Sequence, residues 1–172
     1  TELNFMLIRV EIPVDIPAID DLLRQSFPTG AEADLVGHLR EEGLLTLGMV
    51  AINDEGRIVG YIGFTPVDIE GKDCQWVGLA PLAVAPQYRG QGIGRQLINE
   101  GLDSLNEFGY GAVVVLGEPT YYQKSGFIPA KSQGLHCKWP NTEEAFQFYA
   151  LDNGNVDDIH GLVNFSPLFD EV

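Results

Sequence analysis

Three glycines and an arginine share one short segment in the middle of the chain, which reads Arg89-Gly90-Gln91-Gly92-Ile93-Gly94. An apolar, strand-like run ends just before it at Val84, and a stretch with helical periodicity follows it. Glycine lets the backbone turn sharply and approach a ligand without a Cβ clash. The first N–H groups of a helix lack intrahelical partners and can bind phosphate. The segment therefore predicts a phosphate-binding loop, although an ordinary turn before a helix would have the same composition.

Two common phosphate-binding motifs do not fit this segment. A P-loop requires Lys and then Ser or Thr directly after its last glycine, and neither follows Gly94. A Rossmann fingerprint spaces its glycines as Gly-x-Gly-x-x-Gly within a parallel βαβ unit, whereas the glycines here alternate with other residues. The remaining pattern, Arg89-x-x-Gly92-x-Gly94, resembles the pyrophosphate-binding motif of the GNAT N-acetyltransferase superfamily.

A second motif lies downstream, between Leu116 and Phe127. It reads Leu-Gly-x-Pro-x-Tyr-Tyr-x-x-x-Gly-Phe and is similar to a landmark of one bacterial subgroup of predicted acetyltransferases in that superfamily. The two motifs stand in the family's order, and the resemblance covers roughly residues 4–151. It implies the GNAT acyl-CoA N-acyltransferase fold, an α/β (α+β) architecture. Its central sheet is mixed, mostly antiparallel and twisted, is flanked by helices, and is splayed at the strand ending near Val84.

The resemblance also implies acetyl-CoA as cosubstrate, with no metal. Backbone groups at the end of the splayed strand would hydrogen-bond the pantetheine arm and the acetyl carbonyl, and the N–H groups of the loop would hold the pyrophosphate. Two roles are equally compatible with the side chain of Arg95: it contacts phosphate, or it is a solvated surface arginine. The implied cofactor-binding residues are Leu82, Ala83, Val84, Arg89, Gly90, Gln91, Gly92, Ile93, Gly94 and Arg95.

Tyr122 is the catalytic residue that the resemblance implies. In the family's mechanism the substrate amine attacks the thioester directly, and a phenol at Tyr-x-x-x-Gly-Phe gives the departing thiolate a proton or a hydrogen bond. Tyr121 is the neighbouring alternative, but only Tyr122 has three residues between it and Gly126-Phe127.

The general base cannot be identified from the sequence. Glu32, Asp34 and His38 lie where the family often builds its acceptor site, although His38 also fits the polar face of a short helix. A thiol acyltransferase is disfavoured because neither of the two cysteines, Cys74 and Cys137, has a neighbour that would lower its pKa. His136 adjoins Cys137, but adjacent residues of a strand point to opposite faces.

The composition is that of one globular domain. The chain has 172 residues, of which 45% are hydrophobic and 20% charged, so it is long enough to bury a sizeable core. We expect a single domain over residues 1–172, with a core at about 4–151 and a C-terminal extension at 152–172. No apolar run is long enough for a membrane span, no signal peptide is visible, and there is no cysteine framework. These features favour the cytoplasm.

The formal charge of −15 bears on the partners. Nucleic-acid binding is not expected, because it relies on Lys and Arg to neutralise phosphates, and here 10 basic residues stand against 25 acidic ones. An acidic surface attracts cations, which suits an amine acceptor, either a small molecule or a protein or peptide. The segments 26–45 and 128–143 are expected to select the acceptor. Whether the chain forms a homodimer is left open.

Hydrophobic periodicity predicts the elements that hold these residues. Strands are expected at 5–10, 44–52, 57–69, 75–84 and 112–116, with two more within 135–151, and a hairpin turn at 53–56. Helices are expected after residue 13, around residues 35–39, at 91–107 and at 121–125, the third with Ile93, Leu97, Gly101, Leu105 and Phe108 along one stripe.

Two functions other than an N-acetyltransferase are also compatible with these motifs. A non-catalytic acyl-CoA-binding or regulatory module could use the same fold, since a fold does not establish a function. The intact Tyr122 beside an intact loop favours the enzyme. A generic nucleotide-binding protein would require a parallel sheet around the loop, and the hairpin signal at residues 53–56 argues against that.

Overall fold

The computed structural model describes residues 6–171, which form nine strands and four α-helices. The strands are β1 (Leu7–Val10), β2 (Leu47–Ile52), β3 (Ile58–Ile69), β4 (Lys72–Val84), β5 (Ala112–Leu116), β6 (Ile128–Pro129), β7 (Leu135–His136), β8 (Phe146–Ala150) and β9 (Gly161–Asn164). The helices are α1 (Ile16–Ser26), α2 (Ala31–Glu41), α3 (Ile93–Glu107) and α4 (Pro119–Gln123). Short 3-10 turns lie at Pro13–Asp15, Pro86–Tyr88, Ala130–Gln133 and Pro167–Glu171.

The strands form an open sheet in the order β1-β2-β3-β4-β5-β8-β6, with β9 beside β3 and β7 beside β9. Antiparallel pairing joins β1 to β2, β2 to β3, β3 to β9, β5 to β8 and β6 to β8. Parallel pairing joins β4 to β5 and β7 to β9. A mostly antiparallel sheet with flanking helices is the predicted fold class, which is thereby confirmed. None of the helices within residues 6–171 combines the length and apolar character needed to cross a bilayer.

The described residues divide into two units, and the first comprises residues 6–64, 80–101 and 168–171. Its strands β1, β2 and the first half of β3 pair antiparallel, with Met49 opposite Ile62. Glycine lets α3 approach β3 closely, because a Cβ on Gly60 would lie 2.9 Å from Leu97 Cδ1. The helices α1 and α2 bury one apolar face each, made of Ile19, Leu22 and Leu23 and of Leu35, Val36 and Leu39.

The second unit comprises residues 65–79 and 102–167. A parallel ladder joins β4 to β5 from Trp76–Ala112 to Gly78–Val114, and β8 pairs with the other edge of β5. Trp76 stacks on Phe148 at a centroid distance of 6.4 Å. The buried core of this unit contains Val67, Ile69, Trp76, Ala112, Val114, Ala130, Leu135, Phe146, Phe148 and Val163.

Most predicted elements are present, and the differences lie mainly at their ends. The helix expected at 91–107 begins at Ile93 and ends at Glu107, and Phe108, which was expected on its apolar stripe, is 65% exposed. The helix expected at 121–125 spans Pro119–Gln123, and the first of the strands expected within 135–151 has only two residues. Strands β6 and β9 were not predicted; β9 lies within the predicted extension and pairs with the end of β3. The first residue of the strand expected at 5–10 lies outside the described residues.

Candidate active site

The side chains at the end of strand β4 alternate between buried and half-buried. Ala83 is buried, while Leu82 and Val84 on either side of it are partly exposed. These three residues lie beyond Gly78, where the parallel ladder between β4 and β5 ends. The carbonyl of Val84 accepts a hydrogen bond from Arg89 Nε at 3.0 Å. Because a carbonyl oxygen has two lone pairs, it retains the capacity to accept a second donor.

The loop after β4 turns twice through backbone conformations that favour glycine. Gly90 has φ +78° and Gly92 has φ +83°, in the left-handed region that other residues rarely adopt. Among the described residues, a Cβ built on either glycine would have no heavy atom within 4 Å apart from its chain neighbours. These two glycines are therefore required by the course of the backbone rather than by packing.

The loop leads directly into the N-terminus of α3. The Gly92 carbonyl accepts the first intrahelical hydrogen bond, from the N–H of Gln96 at 3.0 Å, so Gly92 is the N-cap residue. The N–H groups of Gly92, Ile93 and Gly94 lie in the first turn, where a helix offers no carbonyl to accept them. Together with the positive end of the helix dipole they form a site that attracts an anion. Ile93, only 2% exposed, anchors this turn.

The guanidinium of Arg89 donates to two backbone carbonyls. Nε contacts the Val84 oxygen and Nη2 contacts the Ser26 oxygen, each at 3.0 Å. Val84 ends β4 and Ser26 ends α1, so this side chain joins two chain segments of the first unit. The sequence pattern gave no sign of this contact, because Ser26 lies 63 residues away along the chain.

Tyr122 lies in α4, within the second unit, and is 8% exposed. Its ring packs edge-on against Tyr121 at 5.2 Å and against Phe127 at 5.7 Å between centroids. Burial, and secondarily the neighbouring Tyr121, raises the pKa of Tyr122 to about 12. The phenol is therefore protonated at any physiological pH. Tyr121, the alternative in the sequence, is 37% exposed.

The three candidates for the general base differ in their surroundings. Asp34 accepts a hydrogen bond from Arg24 at 2.9 Å and is largely exposed, and His38 lies exposed on α2. Glu32 is half-buried, and its Oε1 is a buried atom with no hydrogen-bond partner among the described residues. Glu32 is thus the carboxylate of this group with an oxygen not committed to a protein donor.

The cysteines are both half-buried, and Cys137 Sγ lies 3.2 Å from Thr142 Oγ1. Within residues 6–171 there is no cluster of three or more His, Cys, Asp or Glu side chains that could hold a metal ion.

Comparison with known proteins identifies the family. Residues 46–129 match the model of the acetyltransferase (GNAT) domain. The chain is 58% identical to the Escherichia coli K12 protein named uncharacterized N-acetyltransferase YhbS, over 95% of this chain and 98% of that protein.

Two solved structures share the whole architecture. The crystal structure of Escherichia coli YhbS in complex with CoA has a TM-score of 0.94 and 56% identity, covering 99% of this chain and 94% of that chain. A Brucella melitensis GNAT acetyltransferase in complex with acetyl-CoA has a TM-score of 0.81 and 32% identity, covering 97% and 99%. This chain therefore belongs to the GNAT family of acetyltransferases, the family that the two motifs indicated.

Proposed function

We propose that this chain transfers the acetyl group of acetyl-CoA to a primary amine by direct attack of the amine on the thioester. The observation that carries the proposal is the loop of residues 89–95. It presents first-turn N–H groups of α3 next to two glycines with positive φ and open space around them. The relatives crystallised with CoA and acetyl-CoA share 56% and 32% of the sequence, which supports the same ligand here.

The loop N–H groups of residues 90–95 bind the pyrophosphate in this proposal. The end of β4 binds the pantetheine arm through the backbone of Leu82 and Val84, with Ala83 turned into the core. Arg95, in the first turn of α3, supplies positive charge in a protein that carries a formal −15, where an anionic cosubstrate would otherwise be repelled.

Tyr122 acts on the departing thiolate. A thiol has an ordinary pKa of about 8.5, well below the value of about 12 for Tyr122. Complete proton transfer from the phenol would therefore be uphill. A hydrogen bond from the phenol to the developing negative sulfur costs no such transfer and stabilises the transition state. Tyr122 thus serves as a fixed, neutral donor.

The acceptor is a cationic amine that must lose a proton before it attacks. The net charge of the chain favours the approach of a cation. Glu32 is the group we assign to the amine, because its buried Oε1 has no donor within residues 6–171, whereas Asp34 is bound by Arg24. A cytoplasmic location remains a prediction.

Replacing Gly92 by valine tests the cofactor site. The side chain would strain a backbone at φ +83° and obstruct the loop, so acetyl-CoA affinity measured by calorimetry should be largely lost. The matched control is Gly71→Val, at φ +80° and likewise in open space, in the turn between β3 and β4. Unchanged affinity in a folded Gly92→Val protein would overturn the assignment.

A thiol-release assay over a panel of amines tests the reaction itself. Turnover should require an unprotonated amine, and Glu32→Gln should lower kcat/KM for the amine with little change in acetyl-CoA affinity. Tight acetyl-CoA binding without turnover of any amine in the panel would instead indicate a non-catalytic acyl-CoA-binding module.

A further inference from the structure

The turn between α1 and α2 is held by two arginines. We name residues 26–30 the α1–α2 corner. From one side, Arg24 donates to Asp20 and to Asp34, each at 2.9 Å, and its Nη1 lies where a Cβ on Gly30 would be only 2.5 Å away. From the other side, Arg89 Nη2 donates to the carbonyl of Ser26. The contact between Arg24 and Asp34 joins α1 to α2, and the contact between Arg89 and Ser26 joins the end of α1 to the cofactor loop.

Arg89 meets Ser26 at a carbonyl that α1 itself cannot satisfy. Ser26 is the last residue of α1, and the final carbonyls of a helix have no intrahelical donor. A cation at this end of a helix also interacts favourably with the helix dipole. The contact therefore matches a strong donor to an acceptor that needs one.

The second contact of the guanidinium fixes its direction. Nε and one Nη of arginine lie on the same edge of a rigid plane and can donate in parallel. Here that edge meets the Val84 carbonyl and the Ser26 carbonyl, each at 3.0 Å. With both donors of this edge engaged, the plane links the end of β4 to the end of α1.

We propose that Arg89 is a positioning residue that holds the α1–α2 corner against the end of β4, and that it acts on acceptor binding rather than as a ligand of the pyrophosphate. The proposal rests on the proposed function, in which Val84 borders the pantetheine site and the segment after Ser26 selects the acceptor. It reassigns the side chain of a residue that the motif places in the cofactor loop, while the backbone N–H groups of residues 90–95 keep their role.

Hydrogen exchange gives a test that does not depend on activity. The N–H of Phe27 donates to Leu23 at 3.3 Å at the end of α1 and reports on the corner. In Arg89→Gln and Arg89→Lys, exchange of this amide should become about thirtyfold faster, the effect of losing two hydrogen bonds of ordinary strength. Lysine keeps the charge but cannot supply the two parallel donors, so equal acceleration in both variants supports bracing.

Arg57→Gln is the matched control, since Arg57 is 78% exposed and its carboxylate partner Glu55 lies 3.8 Å away. It removes the same charge without touching the corner, and exchange at Phe27 should not change. Unchanged exchange in Arg89→Gln would overturn the proposal, whatever the enzyme assay shows.

Two acyl donors separate bracing from phosphate binding. Acetyl-pantetheine lacks the pyrophosphate, so a phosphate ligand cannot affect its use. If Arg89 braces the corner, Arg89→Gln should raise the KM for the amine about tenfold with either donor, and CoA affinity by calorimetry should barely change. A loss of CoA affinity, with normal use of acetyl-pantetheine, would show that Arg89 is a phosphate ligand. Should no amine be turned over, the proposed function fails, while the exchange and CoA-binding measurements still decide the role of Arg89.

Discussion

Tyr61 and Tyr122 are both buried, yet they meet different partners. Tyr61, in β3 of the first unit, is 0% exposed, and its hydroxyl donates to Glu11 Oε1 at 2.7 Å. The other oxygen of Glu11 forms an ion pair with Arg40. Tyr122, in α4 of the second unit, is 8% exposed and packs against two aromatic rings. The Tyr61 phenol is part of a charged network, and the Tyr122 phenol packs against aromatic rings.

The pKa values have correspondingly different causes. Burial raises both, but the negative charge of Glu11 and the hydrogen bond to it raise the pKa of Tyr61 further. For Tyr122 the causes are burial and the neighbouring Tyr121. A hydroxyl held by a buried carboxylate is committed to the fold, whereas a neutral phenol fixed by ring packing can still donate to a ligand. The comparison therefore indicates a structural role for Tyr61 and is consistent with the donor role proposed for Tyr122.

A glycine stands beside each tyrosine. A Cβ on Gly48 would lie 1.8 Å from Glu11 Oε1 and 2.6 Å from the Tyr61 hydroxyl. A Cβ on Gly117 would lie 2.4 Å from Tyr122 Cε2. Glycine is thus required at both places by a close approach, in one case of a hydrogen-bonded pair and in the other of a ring.

The largest effect is expected from Tyr122→Phe. It keeps the ring and its packing but deletes the donor, so kcat should fall by about 10²–10⁴, roughly 3–5 kcal/mol of barrier. Acetyl-CoA affinity should hardly change, because the interaction strengthens in the transition state. Steady-state kinetics with any amine that is turned over will measure it. Tyr61→Phe is the control and should retain kcat; full activity in Tyr122→Phe with loss in Tyr121→Phe would move the donor by one residue.

A somewhat smaller effect is expected from Gly117→Ala. The new methyl must displace the Tyr122 ring, and a misplacement of about 1 Å at a reacting group can cost about 10²-fold in rate. Gly48→Ala makes the same chemical change beside Tyr61 and should lower the free energy of unfolding while leaving kcat nearly intact. Equal kinetic losses in the two variants would mean that the two glycine–tyrosine pairs do not differ in function.

The features that could be predicted from the sequence are those that depend on neighbours along the chain. The strand at residues 112–116 is predicted at its observed ends, because a short, wholly apolar run bounded by glycines is typical of a strand buried on both faces. The turn of residues 53–56 and the positive φ of the loop glycines follow from local composition in the same way. These are short-range preferences, and tertiary contacts did not alter them.

Features that depend on distant contacts could not be predicted. Strand β9 has only four residues and is a strand because Asn164 and Val163 pair with the end of β3. The Glu11–Tyr61 bond spans 50 residues and the Arg89–Ser26 bond 63. Phe108 fitted the helical stripe, yet the helix ended one residue before it. Periodicity predicts which face of a helix or strand is buried, but it does not predict which distant residues pack against that face.

The next effect is on stability, from Tyr61→Phe. Loss of the hydroxyl leaves a buried oxygen of Glu11 with one donor fewer, which should cost about 1–3 kcal/mol of unfolding free energy. Urea unfolding at neutral pH measures the loss, with Tyr121→Phe as a control at a tyrosine that is 37% exposed. If Tyr61→Phe were as stable as the parent, Glu11 would be satisfied by Arg40 alone and the network would lose its structural assignment.

The smallest effect is expected in the pH dependence of Tyr122→Phe. Because the pKa of Tyr122 is raised to about 12, the phenol stays protonated throughout the working range and contributes no titration there. The residual kcat/KM of Tyr122→Phe should therefore keep the same apparent pKa values as the parent between about pH 6 and 10, with only the plateau lowered. A raised pKa also means that the stability due to burying the neutral phenol is complete below about pH 10 and is lost as pH rises toward 12. Disappearance of the alkaline limb in Tyr122→Phe would show that the phenol titrates in this range and acts as an acid, and disappearance of the acidic limb would show that it acts as a base. Either result would contradict a donor that stays neutral throughout.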